Sequence, residues 1–214
     1  MDENIEDKEN EFDSEFKIIT LGDSSVGKTS IINSFINDQF IEDSIPTFGI
    51  KFSFKILTVN KDKKMKLAVL DTGGQEKYRS LSISYFRHAD VVLFVFSLND
   101  IISFENMQEW INTFNQNNNG KNVKKMYLIG NKNDLEQLVD QKLIDEFAKK
   151  NKISYISISA KSKNKVDELF ILISEELYEL IEKRANTSVK SSKKQRSKII
   201  AKSNIDDVNG KKCC

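Results

Sequence analysis

An α/β fold, with a mostly parallel sheet and helices on both faces, is what the 214-residue sequence predicts. Two observations carry that prediction. Short β-branched and aromatic runs alternate with longer helix-like stretches along most of the chain. A glycine-bounded loop, Gly22–Thr29, also lies between the first such run and the first helix-like stretch.

The elements follow in order. Phe16–Leu21 is short and β-branched and reads as a buried strand. Gly22 to Gly27 is a turn, and Lys28–Ile36 reads as a helix. Lys51–Val59 alternates in part and leads through a Lys61–Lys64 turn into Met65–Leu70, a hairpin of antiparallel neighbours. Strand Val91–Phe96, helix Ile102–Asn115, strand Lys125–Gly130, helix Val139–Lys150, strand Ser154–Ser157 and helix Val166–Lys183 complete the series. After Ala185 the chain is rich in Ser, Lys and Asn without periodicity and reads as a disordered tail.

Hydrophobic residues make up 39% of the chain, enough for one core with length left for tails. The net charge of +1 hides an uneven layout. Residues 1–15 are acidic (Asp2, Glu3, Glu6, Asp7, Glu9, Glu11, Asp13, Glu15), and Lys183–Lys198 is basic. Charge runs of this kind mark solvated tails. No apolar stretch approaches the ~20 residues of a membrane span. The N-terminus lacks the basic-then-apolar order of a secretory signal, so a cytosolic location is expected. Cys213 and Cys214 are adjacent and can neither staple a fold nor form a metal pattern.

Gly22-Asp23-Ser24-Ser25-Val26-Gly27-Lys28-Thr29 matches G-x-x-x-x-G-K-[ST] between a predicted strand and a predicted helix. Its glycines let successive backbone N–H groups close on phosphate oxygens, and the helix that follows adds its positive end. Lys28 is expected at the β- and γ-phosphates and the Thr29 hydroxyl at Mg²⁺, with Ser30 next to it in the first turn. Asp71, at the end of a buried strand, suits a Mg²⁺ ion held through water. Gly74 can offer its N–H to a γ-phosphate, and Gln75 can orient an attacking water.

A third cluster, Asn131-Lys132-Asn133-Asp134, follows its own strand. A carboxylate accepts from guanine N1–H and the 2-amino group together, whereas adenine leaves it unpaired. Asn131 can tie this loop to the phosphate loop, and the stem of Lys132 can cover the base. Ser159-Ala160-Lys161 follows the last strand, where a backbone N–H can meet guanine O6.

Taken together, these four motifs, in order and spacing, resemble the Ras superfamily of small GTPases over residues 16–183. The resemblance implies a P-loop G domain, a six-stranded mostly parallel sheet flanked by five helices. It also implies that Phe40 stacks on the edge of guanine and that Thr47 closes on Mg²⁺ and the γ-phosphate. The Lys-Lys-Cys213-Cys214 ending is similar to the double-geranylgeranyl site of Rab GTPases, and two lipid chains anchor where one holds only marginally. A flexible tail of this length would place the domain roughly 30 Å from a membrane. Thr47-Phe-Gly-Ile-Lys-Phe52, Glu76-Lys-Tyr-Arg-Ser-Leu81 and Ser84-Tyr-Phe-Arg-His-Ala89 resemble Rab effector and second-switch segments.

The division expected is an acidic extension (1–15), a G domain (16–183) and a flexible basic tail ending in a prenylation site (184–214). The resemblance implies a GTP/GDP cycle with slow hydrolysis, on the cytoplasmic face of an endomembrane, recruiting effectors in vesicle traffic. An exchange factor, an activating protein and a prenyl-binding chaperone holding a cytosolic pool are its implied partners; no nucleic acid is expected. No arginine of the phosphate loop or first switch is placed as a finger, so the activating protein is expected to supply one. A GTP-binding scaffold with little or no hydrolysis is the alternative. A small phosphate-loop kinase would need an Arg-rich lid that the sequence lacks.

Three positions depart from the Rab pattern. Leu70 replaces a Trp of an aromatic trio that would include Phe52 and Tyr85, Lys51 replaces an acid, and Gly73 replaces Ala. Gly73-Gly74 loosens the second switch, which is expected to slow intrinsic hydrolysis. His88 reads as a surface or packing residue and Trp110 as core.

Overall fold

The computed structural model describes residues 11–41, 47, 49–60, 62–72, 85–118 and 123–206, with side chains of the last helix to Arg184. Six strands form one sheet in the order β2-β3-β1-β4-β5-β6. They are β1 (Ser14–Leu21), β2 (Ile50–Val59), β3 (Lys63–Thr72), β4 (Val91–Ser97), β5 (Lys125–Asn131) and β6 (Ser154–Ser157). All adjacent pairs are parallel except β2 with β3.

Four helices accompany the sheet among the described residues, one fewer than the family resemblance implies. They are α1 (Lys28–Asn37), α2 (Ile101–Glu105, resuming after Asn106 as Met107–Asn118), α3 (Gln141–Asn151) and α4 (Lys163–Asp206). The chain divides into two compact units, Met1–Ser174 and Glu175–Cys214, with the boundary inside α4.

Strand character follows position in the sheet. Central β4 is buried throughout and apolar from Val91 to Phe96, as a parallel strand covered on both faces must be. Its residues Val92, Phe94 and Phe96 join a cluster with Phe86, Trp110, Phe114 and Leu128. Their alternates Leu93 and Val95 point to the opposite face by the pleat of the strand. In the first unit Phe35 of α1 also stacks on Phe170 of α4 at 3.7 Å. Edge strand β2 leaves Phe52 and Phe54 exposed.

Element ends differ from the sequence reading for identifiable reasons. Lys63 and Lys64 join β3, pairing with Val59 and Thr58. The Asp13 carboxylate takes the Lys64 N–H at 2.8 Å and the Lys63 ammonium at 2.6 Å, so the end of the acidic segment runs into β1. Helix α3 starts at Gln141 because the Asp140 carboxylate caps the Lys142 N–H at 2.8 Å. The largest correction is at α4, which continues to Asp206 where a coil was expected from residue 184. That stretch has no Gly or Pro to stop a helix.

Candidate nucleotide site

Strands β1, β3, β4, β5 and β6 all deliver their carboxyl ends to one side of the sheet, the usual place for a ligand in open α/β sheets. There lies a cavity of about 320 Å³. Its walls include Ser24, Ser25, Gly27, Lys28, Thr29, Ser30, Phe40, Thr47, Asn131, Lys132, Asp134, Ser159, Ala160 and Lys161, all anticipated from sequence or family resemblance.

At one end is the loop between β1 and α1. Gly22 has φ +148°, and a Cβ there would sit 2.0 Å from the Val95 carbonyl oxygen, so only glycine fits against β4. Gly27 has φ +95° as the cap of α1, and a Cβ would meet the Asn131 amide at 2.2 Å. With Ser25 also at positive φ (63°), the turn forms a concave run of backbone suited to an anion. Lys28 is buried, and its ammonium donates to the carbonyls of Gly22 at 2.9 Å and Asp23 at 2.6 Å. Burial pushes that ammonium down to about 8, with the Asp71 and Asp23 charges opposing.

Beside it three oxygen-bearing side chains converge. The Thr29 hydroxyl donates to Asp71 Oδ2 at 2.8 Å, and the Thr29 and Thr47 hydroxyls lie 2.6 Å apart. Because the single Thr29 proton goes to Asp71, Thr47 is the donor to Thr29. The other Asp71 oxygen, Oδ1, is buried without a hydrogen-bond partner. Burial raises the Asp71 pKa above the ordinary carboxylate range, against the Thr29 hydrogen bond and the Lys28 charge. Two hydroxyls and an orphaned carboxylate oxygen are a hard-oxygen donor set that fits Mg²⁺.

The far end is closed by side-chain bridges. Asn131, at the end of β5, donates to the Val26 carbonyl at 2.9 Å and accepts from the Ala160 N–H at 3.0 Å. It thus ties the phosphate loop to the loop after β6. Asp134 accepts from the Ser159 hydroxyl at 2.5 Å, with the Lys161 ammonium 3.8 Å from its second oxygen. The same ammonium stands 5.5 Å from the centre of the Phe40 ring.

Not every expected residue faces the cavity. Val26 is core, 1% exposed, and contributes its carbonyl through Asn131. The Asp23 carboxylate turns away toward α2, where Asn106 Nδ2 and Trp110 Nε1 each reach it at 2.7 Å. Leu135 and Thr72 also line the cavity and were not anticipated. Both adjoin motif residues, Asp134 and Asp71, so adjacency was the available signal. Gly73, Gly74 and Gln75 lie outside the described residues, as do Cys213 and Cys214. Phe52 and Tyr85 meet edge to face at 5.4 Å beside buried Leu70.

The sequence profile of the Ras family matches residues 17–179. The Ras-related protein SEC4 of Saccharomyces cerevisiae is 32% identical over 95% of this chain and 93% of its own length. The Ras-related protein RABD2b of Arabidopsis thaliana is 37% identical over 75% of this chain and 79% of its own. The Ras-related protein Rab-13 of Bos taurus is 37% identical over 74% and 78%. With its phosphate loop, hydroxyl–carboxylate cluster and Asn131–Asp134 loop at one cavity, the chain belongs to the Ras family and is a Rab-type small GTPase.

Proposed function

We propose that this GTPase works as a timed membrane switch in vesicle traffic, with GTP held across the cavity from Asp134 to Thr47. The convergence of Thr29, Thr47 and the orphaned Asp71 oxygen next to the Lys28 loop is the observation that carries the reading.

Each residue has a role that its chemistry suits. Asp134 accepts from guanine N1–H and the 2-amino group, a backbone N–H of the Ser159–Lys161 loop meets O6, Phe40 stacks on the edge of the base and the Lys132 stem covers one face. The N–H groups of residues 23–29 cradle the phosphates, and Lys28 stabilises charge building on the γ-phosphoryl oxygens. Thr29, Thr47 and, through water, Asp71 would hold Mg²⁺, which would supply positive charge against the phosphate oxygens. Gln75 orients the attacking water. Loss of the γ-phosphate frees Thr47 and Gly74, and partner surfaces on the two switches change with them.

Geranylgeranyl groups on Cys213 and Cys214 would hold the protein at the cytoplasmic face of an endomembrane, with a chaperone-bound pool in the cytosol. An exchange factor, an activating protein supplying an arginine, and effectors would complete the cycle. No described helix is long and apolar enough to cross a membrane.

Single-turnover GTP hydrolysis by the purified protein tests the switch, with Gln75→Leu as control. Slow turnover in the parent and at least about tenfold slower turnover in the variant are expected. Tight GTP binding with no turnover in either form, unrestored by an arginine-supplying activating protein, would favour the scaffold reading.

A further inference from the structure

Helix α2 breaks at Asn106, whose side chain crosses to the phosphate loop. Its amide nitrogen donates to Asp23 Oδ2 at 2.7 Å, and the Trp110 indole N–H donates to Asp23 Oδ1 at 2.7 Å. The two donors are four residues apart, so they share one helix face and grip the carboxylate as a fork. The backbone of the same residue is held too, since the Asp23 carbonyl accepts the Lys28 ammonium at 2.6 Å.

We propose that Asn106 and Trp110 are positioning residues that set how long the phosphate loop retains its nucleotide. Two physical effects support this role. Asp23 is a negative charge in a loop whose N–H groups serve phosphates, and the fork keeps that charge turned toward α2. The fork also fixes the first turn of the loop before ligand arrives, removing ordering entropy that binding would otherwise have to supply. Trp110 is 2% exposed, so releasing Asp23 costs its buried N–H a charge-assisted bond. The break at Asn106 is stabilised locally, its N–H reaching the carbonyls of Ile102 and Phe104. Sequence separations of 83 and 87 residues make this a tertiary device with no local motif.

The test is release of radiolabelled GDP from the full-length protein in excess unlabelled GDP and Mg²⁺. Asn106→Ala and Asp23→Ala should each release nucleotide roughly tenfold faster, and the double variant no faster than the faster single. Effects that multiply in the double variant, or an Asn106→Ala rate within about twofold of the parent, would overturn the proposal. A second readout uses the fact that Trp110 is the chain's single tryptophan. Its emission should shift to the blue in folded Asp23→Ala, as the indole loses its carboxylate partner. Unchanged emission in a variant with parental circular dichroism would overturn it equally.

Discussion

The two ends of the cavity are built on opposite principles. At the base end the polar groups already satisfy one another: Asn131 bridges Val26 and Ala160, and Asp134 is held by Ser159 and Lys161. At the phosphate end a buried lysine is spread over two carbonyls, and a buried carboxylate keeps one oxygen without a partner. The first arrangement is rigid and selective before ligand arrives. The second is electrostatically incomplete and gains most from an anion and a cation arriving together. A molecule that must hold the base in both nucleotide states, yet respond to one phosphate, benefits from that division.

The sharpest way to break the comparison is at the base end. Asp134→Asn replaces a two-point acceptor with an amide that must present a donor to one of guanine's two N–H groups. Competition binding should show GTP affinity falling on the order of 10³-fold, with xanthosine triphosphate, which carries a 2-oxo group, overtaking it. Equal losses for both nucleotides would mean that Asp134 serves the loop and not the base.

The phosphate end should fail differently. Chelating Mg²⁺ should accelerate GDP release from the parent protein by about 100-fold, and from Asp71→Asn by only a few-fold, because on the proposed reading that variant lacks the carboxylate that would hold the metal. Its nucleotide-free form should melt no lower than the parent, since a buried, poorly compensated charge has been removed. A large fall in melting temperature would show that Asp71 is structural, and the contrast between the two ends would weaken.

What could be read from sequence divides along similar physical lines. Gly22, Gly27, Lys28 and Thr29 act within one turn, so their spacing alone announces the chemistry. Val91–Phe96 was legible because a strand buried on both faces must be apolar throughout. Phe40 and Thr47 reach the cavity from the segment between α1 and β2, and only a family resemblance placed them. The fork on Asp23 was invisible because it joins residues more than eighty positions apart, and Trp110 read simply as core. The end of α4 is illegible for the opposite reason: amphipathic periodicity fades after Lys183, yet the residues to Asp206 contain no Gly or Pro and the helix continues.

The smallest effect sharpens the border of the site. Asp38 follows α1 at φ 55°, where its carboxylate meets the Lys163 ammonium at 2.6 Å and the Lys55 ammonium at 3.2 Å. The Lys163 hydrogen bond, then that of Lys55, holds its pKa below the ordinary carboxylate range. A depressed folded-state pKa contributes stability that is fully present above the unfolded value of about 3.9 and is lost as pH falls through the folded value. Asp38→Asn keeps a residue that tolerates left-handed backbone and removes only the charge. Its melting temperature at pH 7 should be lower by on the order of 1–3 °C, shrinking in high salt because the group is exposed. The gap should close as acid protonates Asp38 in the parent. GDP release should stay within about twofold of the parent, because both ion pairs lie outside the cavity wall. Release that accelerated with the loss of either lysine partner would instead extend the incomplete phosphate end to the exit of α1, and the boundary between the two regions would have to be redrawn there.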